Sequence, residues 1–183
     1  SVVYNYQKHI DSSKVRFDYV CFKKTSDSIQ SDVEQMGSRV WYVKPGRELC
    51  DFFSNHSGAF DIVHCHPIFA SELVGRTAKK HGAKAVIAHS HSTRYSDKKL
   101  SAIRNRLISC FVGFCATDYI ACSEAAKVLL RSHGQSAYVM HNAIDPESFS
   151  FSAEGRKTVR DELALTDKTL LLGSVGRCEK QKN

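Results

Sequence analysis

Short runs built mostly from Val, Ile, Tyr and Phe recur along the chain: FDYVCF (17–22), RVWYV (39–43), FDIVHCH (60–66), AKAVIAHSH (83–91), TDYIACS (117–123) and SAYVMHN (136–142). Each has the length and β-branched or aromatic content of a buried strand. Between them, near 27–36, 46–55, 68–81, 98–114 and 124–132, apolar residues fall at helical spacing. Strands separated by helices predict βαβ crossovers, hence an α/β fold with a parallel sheet and helices on both faces. His81-Gly82 reads as a helix stop. Ser123, followed by Glu124 and Ala125, reads as a helix cap.

After Asn142 the texture changes. NAIDPESFSF (142–151) is rich in turn formers, GRKTVRDELALT (155–166) reads as a polar helix, and KTLLLGSVG (168–176) reads as a buried strand before RCEKQKN (177–183). The pattern predicts one domain over 1–150. Residues 151–183 are then a linker helix, the first strand of a second domain and the loop after it. The chain opens at Ser1 inside a helical pattern, so a preceding first strand is expected to be missing.

Composition narrows the class. The chain has 183 residues, 42% of them hydrophobic, which suits one α/β domain and a little more. No apolar stretch approaches the ~20 residues of a spanning helix. Seven cysteines without a CxxC spacing, several inside strand-like runs, read as reduced thiols of a cytoplasmic protein. The formal charge of +7 leaves nucleic acid, an anionic membrane surface or a phosphorylated substrate as partners. Nucleic acid is the weakest of these, since no aromatic residues interleave with the bases and no recognition motif is present.

Candidate chemistry gathers at two strand ends. His64 and His66 close one predicted strand, and His89 and His91 close the next. Residues i and i+2 of a strand share a face, and ligands of open parallel sheets bind beyond the carboxyl ends of the strands. Three readings stay open: a metal site, strand ends that merely hydrogen-bond loops, and a rim contacting a polyhydroxylated substrate. The loop reading suits His64 and the rim reading suits His91. No Asp or Glu stands beside either pair to orient a metal ligand.

Two further segments carry charge. TRYSDKKLSAIRNRLISCFVGF (93–114) sets Arg94, Lys98, Lys99, Arg104 and Arg106 against Leu100, Ile103, Leu107, Ile108 and Phe111. The pattern fits a membrane-surface helix or a crossover helix with an apolar inner face. In GSVGRCEKQKN (173–183), Gly176 allows close backbone approach, and Arg177 and Lys182 suit phosphate oxygens.

Together these segments resemble the family 4 glycosyltransferases of bacterial capsule, exopolysaccharide and lipopolysaccharide synthesis. FDIVHCHP, AVIAHSHST, ATDYIACSEAAKVLL, VMHNAIDPESFSF and LLGSVGRCEKQKN resemble five family motifs in register, with Ala143 in place of a usual Gly. The resemblance implies the N-terminal, acceptor-side half of a GT-B fold of two Rossmann-like domains. It implies retaining transfer from a nucleotide-diphosphate sugar to a saccharide or lipid-linked acceptor, with no metal and no other cofactor. By match to the motifs, His91 is the catalytic-site histidine, and Gly176, Arg177 and Lys182 bind the donor phosphates. His66, His89 and Asn142 are cleft contacts. Arg94, Lys98, Lys99, Arg104 and Arg106 are candidate contacts to an anionic inner membrane face. This chain, lacking most of a donor domain, is expected to be inactive alone. Two other classes remain: a metal-dependent hydrolase using His64, His66, His89 and His91, or a non-catalytic binding module.

Overall fold

The computed structural model describes residues 2–26, 28–66 and 68–175. The chain forms two compact units, Ser1–Ala143 and Ile144–Asn183; the boundary expected from the sequence was 150/151.

The first unit alternates strands and helices: α1 (Val2–Lys8), β1 (Tyr19–Cys21), α2 (Gln30–Gln35), β2 (Val40–Tyr42), α3 (Arg47–Asn55), β3 (Ile62–Cys65), α4 (Ser71–Lys80), β4 (Ala85–Ser90), α5 (Lys99–Ile108), α6 (Val112–Cys115), β5 (Asp118–Ala121) and β6 (Tyr138–Val139). Every strand anticipated up to residue 142 is present, each shorter than its apolar run. All pairings are parallel: β1 with β2, and a second sheet in the order β3-β4-β5-β6.

Two apolar clusters hold this unit together. Leu49, Phe52 and Phe53 of α3 pack with Val43 and Ala78, flanked by Trp41 and Phe60. Ala88, Val112, Ala121, Leu129 and Leu130 form the centre of the other. Small residues set the spacing between layers. A Cβ at Gly75 of α4 would lie 2.9 Å from Val86 Cγ1 and 3.1 Å from Cys115 Cβ, so glycine lets α4 rest directly on β4.

The local signals at helix ends hold. Gly82 takes φ +102°, its N–H bonds Lys79 O and the next N–H bonds Ala78 O, a Schellman stop. The Ser123 hydroxyl accepts from Ala126 N at 3.2 Å. The helix it starts, expected near 124–132, is present and runs further. It is a 3-10 helix, Ala125–Ser136, broken at Arg131, where φ is 56°. Gly134 fits there because a Cβ would lie 2.6 Å from Lys127 O.

The predicted single helix over 98–114 needs correcting. It starts at Lys99, passes through a 3-10 turn at Ser109–Phe111 and ends as α6. Arg94 and Lys98 therefore precede its first turn. Its apolar stripe is not an inner face. Leu100 (84% exposed), Ile103, Leu107, Phe111 and Phe114 (75%) face outward, while Asn105, Ser109, Val112 and Cys115 are buried. The Asn105 amide donates to Tyr95 O at 2.9 Å and the Ser109 hydroxyl to Asn105 O at 2.7 Å, so the polar side of the helix is satisfied on burial.

In the second unit, α7 (Ala153–Glu162) is capped by the Ser152 hydroxyl, which accepts from Gly155 N at 3.0 Å. The Arg160 guanidinium is buried and donates to the carbonyls of Thr166 and Thr169. The buried strand expected over 168–176 is absent through residue 175, and Leu170, Leu172 and Val175 are exposed. A strand is held by its neighbour's backbone, and among the described residues this unit has no other strand to pair with.

Candidate functional site

The register of β3 and β4 builds the site. His64 pairs with Ile87 and Cys65 with Ala88. One step further along this register sets His66 beside His89, and the alternation of side chains puts His64, His66, His89 and His91 on one face. The imidazoles form a staggered ladder at the carboxyl ends of the strands. His64 Nε2 lies 3.0 Å from His89 Nδ1, and His66 Nδ1 lies 2.7 Å from His91 Nε2. Ring centroids are 4.4 Å apart for His64 and His66, 5.3 Å for His66 and His89, and 3.9 Å for His89 and His91.

Exposure is graded along the ladder. His89 is fully buried, His64 and His66 are half-buried, and His91 is exposed. Burial, joined by repulsion from neighbouring imidazolium charge, drives the pKa of His64 down to about 4 and those of His66 and His89 to about 3. Burial also lowers that of His91. All four rings are therefore neutral near pH 7, each with one donor and one acceptor nitrogen. No carboxylate bonds any of them among the described residues. His89 Nε2 is buried without a partner. Cys65, between His64 and His66, turns to the opposite face, and burial pushes its thiol up to about 12, so it stays protonated.

Neighbouring contacts fix the end of β4. The Ser90 hydroxyl donates to Ala126 O at 2.7 Å, and Ser90 O accepts from Cys122 N at 2.9 Å. These bonds tie the histidine-bearing strand to β5 and the helix after it.

Three of the four ladder residues were expected at the cleft on resemblance; His64 was read as a strand-end residue bonded to loops and instead bonds His89. Asn142 is exposed beyond β6, with no hydrogen bond to the ladder among the described residues. Gly176, Arg177 and Lys182 lie outside the described residues. Lys99, Arg104 and Arg106 sit on the exposed helix, with Lys98 at its cap and Arg94 in the loop before it. Beside this helix lies a groove of about 510 Å³ lined by Tyr95, Ala102, Ile103, Arg106, Val128 and Arg131. No helix among the described residues is long and apolar enough to cross a membrane.

The sequence profile of Glycosyltransferase Family 4 matches residues 27–148, which include every rung of the ladder. EpsF of Bacillus subtilis (strain 168), named as a glycosyltransferase by assignment, is 25% identical over 203 aligned positions covering all of this chain and 51% of its own length. The chain thus spans about half the length of that relative. Two crystal structures of Anabaena Alr3699/HepE share the fold. The complex with UDP-glucose has a TM-score of 0.66 at 15% identity and the complex with UDP 0.67 at 13%, each covering 89% of this chain and 44% of HepE.

Proposed function

The chain belongs to Glycosyltransferase Family 4, and on that premise we propose that it is the acceptor-side part of a retaining enzyme of cell-surface polysaccharide synthesis. The donor is a nucleotide-diphosphate sugar and the acceptor a saccharide or lipid-linked saccharide. The bond from the anomeric carbon to the diphosphate breaks, the acceptor oxygen takes its place, and the hydroxyl proton is released. EpsF and the UDP-glucose complex of HepE support the reaction class and the donor type.

The observation that carries this reading is the ladder of neutral imidazoles ending in exposed His91. Rings that donate and accept at neutral pH suit the hydroxyls of a sugar. The lowered basicity of His91 argues for holding a hydroxyl over removing its proton. His66 positions His91 through the 2.7 Å bond, and His89 anchors the stack from below. Asn142 is assigned to the same cleft. Charge on the departing diphosphate falls to Arg177 and Lys182, with Gly176 allowing close backbone approach. Transfer then requires no metal, and holding donor and acceptor in line supplies the proximity on which catalysis depends. The test is a donor screen on the intact enzyme. Retention of anomeric configuration in the product is expected, and an inverted product overturns the mechanism.

The acceptor's place is the anionic inner face of the membrane. Leu100, Ile103, Leu107, Phe111 and Phe114 project from one face, opposite buried Asn105 and Ser109. At 100° per residue, Arg104 flanks this stripe on one side and Lys99 and Arg106 on the other. None of Arg94, Lys98, Lys99, Arg104 and Arg106 forms an ion pair among the described residues. An outward apolar stripe bordered by bases without a carboxylate partner matches a bilayer surface, where each base contributes about 1 kcal/mol and the apolar side chains enter the headgroup boundary.

A further inference from the structure

We propose that His64, His66 and His89 form a binding site for a borderline divalent transition ion of the Zn²⁺ kind, and that the ion inhibits transfer. The inhibitory half rests on the function proposed above; the binding half does not.

Geometry carries the site. One ring nitrogen from each of the three side chains lies within 4.8 Å of the others. Zinc–imidazole bonds are about 2.0–2.1 Å, so modest side-chain movement brings three nitrogens onto one ion. The ligands come from adjacent, hydrogen-bonded parallel strands, which fixes their Cα positions. An independent observation points the same way. His89 is fully buried, yet its Nε2 has no partner. A buried polar atom left unpaired costs about 1–3 kcal/mol, a cost relieved when the ring turns a lone pair to a cation.

The donor set selects the ion. Imidazole suits Zn²⁺, Cu²⁺ and Ni²⁺, whereas Mg²⁺, Mn²⁺ and Ca²⁺ prefer carboxylate oxygen. No carboxylate joins the cluster among the described residues, and Cys65 lies on the other face of the strand. The lack of acidic residues to orient the ligands fits an ion taken up reversibly better than a resident cofactor. Its effect follows from the ladder. His66 now bonds His91. An ion held by His66 occupies the strand ends where the sugar is proposed to lie, and if it is held through Nδ1 it also takes the nitrogen that meets His91.

Two measurements on the 183-residue chain test binding. In calorimetric titration, one equivalent of Zn²⁺ should bind and excess Mg²⁺ should not compete. His64→Gln and His66→Gln should each weaken binding at least tenfold, and His9→Gln, at an exposed residue far along the sequence, should leave it unchanged. Histidine-ring nitrogen NMR on the unsubstituted chain, which needs no variant to fold, should show Zn²⁺ moving three imidazoles that include the buried one. No binding, binding insensitive to both substitutions, or shifts elsewhere would overturn the site. On the intact enzyme, Zn²⁺ should inhibit and a chelator restore transfer. Bound ion with unchanged turnover overturns the inhibitory half. Absence of any transferase activity overturns the proposed function and leaves the binding result standing.

Discussion

His64 and His89 meet across β3 and β4 with ring nitrogens 3.0 Å apart, although neither is paired to the other in the backbone register. The stagger makes each imidazole the support of the next, from buried His89 out to His91. A change at the exposed end should therefore affect chemistry, and a change at the buried end should affect folding.

At the exposed end, His91→Ala should lower kcat of the intact enzyme by about a hundredfold, the lower range for removing one preorganised donor. His66→Ala, which removes only the support, should cost less and should move kcat more than KM. Steady-state kinetics on a purified donor and acceptor pair checks both. Unchanged kcat in His91→Ala removes this residue from the site.

The ladder should also make stability depend on pH. Folded His64, His66 and His89 titrate near 4, 3 and 3, below the ordinary value of 6.5. Below pH 6.5 the unfolded chain then binds more protons than the folded one. The contribution is intact above pH 6.5 and is lost as pH falls from there towards 3–4. With allowance for partial exposure and mutual coupling, the loss between pH 7 and pH 5 should be on the order of 3 kcal/mol. Urea midpoints in chelator-treated buffer measure it. A midpoint that does not fall over this range would mean the rings titrate normally.

Packing between α4 and β4 should tolerate little. Gly75→Val places new atoms where a Cβ alone already lies 2.9 Å from Val86. Overpacking of this kind costs about 1–3 kcal/mol, more than the gain in helix propensity over glycine. Thermal unfolding should show a lowered Tm, and a Tm equal to the parent's would mean that the layers can separate.

For the donor side, Arg177→Ala in the intact enzyme should cost about 3 kcal/mol of transition-state stabilisation, the scale of a lost preorganised charge. The effect should appear with every nucleotide sugar the enzyme accepts. Equal activity in variant and parent would sink the assignment of residues 173–183 to the diphosphate.

Vesicle sedimentation of the intact enzyme addresses the membrane face. Binding should require anionic lipid, weaken as salt rises, and drop when Lys98, Lys99, Arg104 and Arg106 become Gln. Leu107→Ser with Phe111→Ser should weaken binding even at low salt, because those side chains are exposed and supply apolar contact rather than charge. A quadruple Gln variant that binds like the parent rules out this helix as the contact.

The alternation of strand and helix, the Schellman stop at Gly82 and the cap at Ser123 were all legible in the sequence, because each depends on neighbours a few residues away. So was the sharing of a face within each His-x-His, since strand geometry alone dictates it. That the two pairs converge at neighbouring strand ends was legible as well, but which ring meets which, His64 with His89 and His66 with His91, was not. It needed the offset that sets His64 beside Ile87, which belongs to the pairing of two strands distant in sequence. The outward stripe of α5 was likewise beyond local reasoning. Periodicity reveals that Leu100, Ile103 and Leu107 share a side, but which side is buried depends on the bodies it meets. Here the core accepts Asn105 and Ser109, whose hydrogen bonds close on nearby carbonyls, and turns the larger apolar residues outward. The same limit explains residues 168–175. An apolar run carries strand propensity, yet a strand exists only where a second backbone completes its hydrogen bonds, and that partner is a property of the tertiary structure.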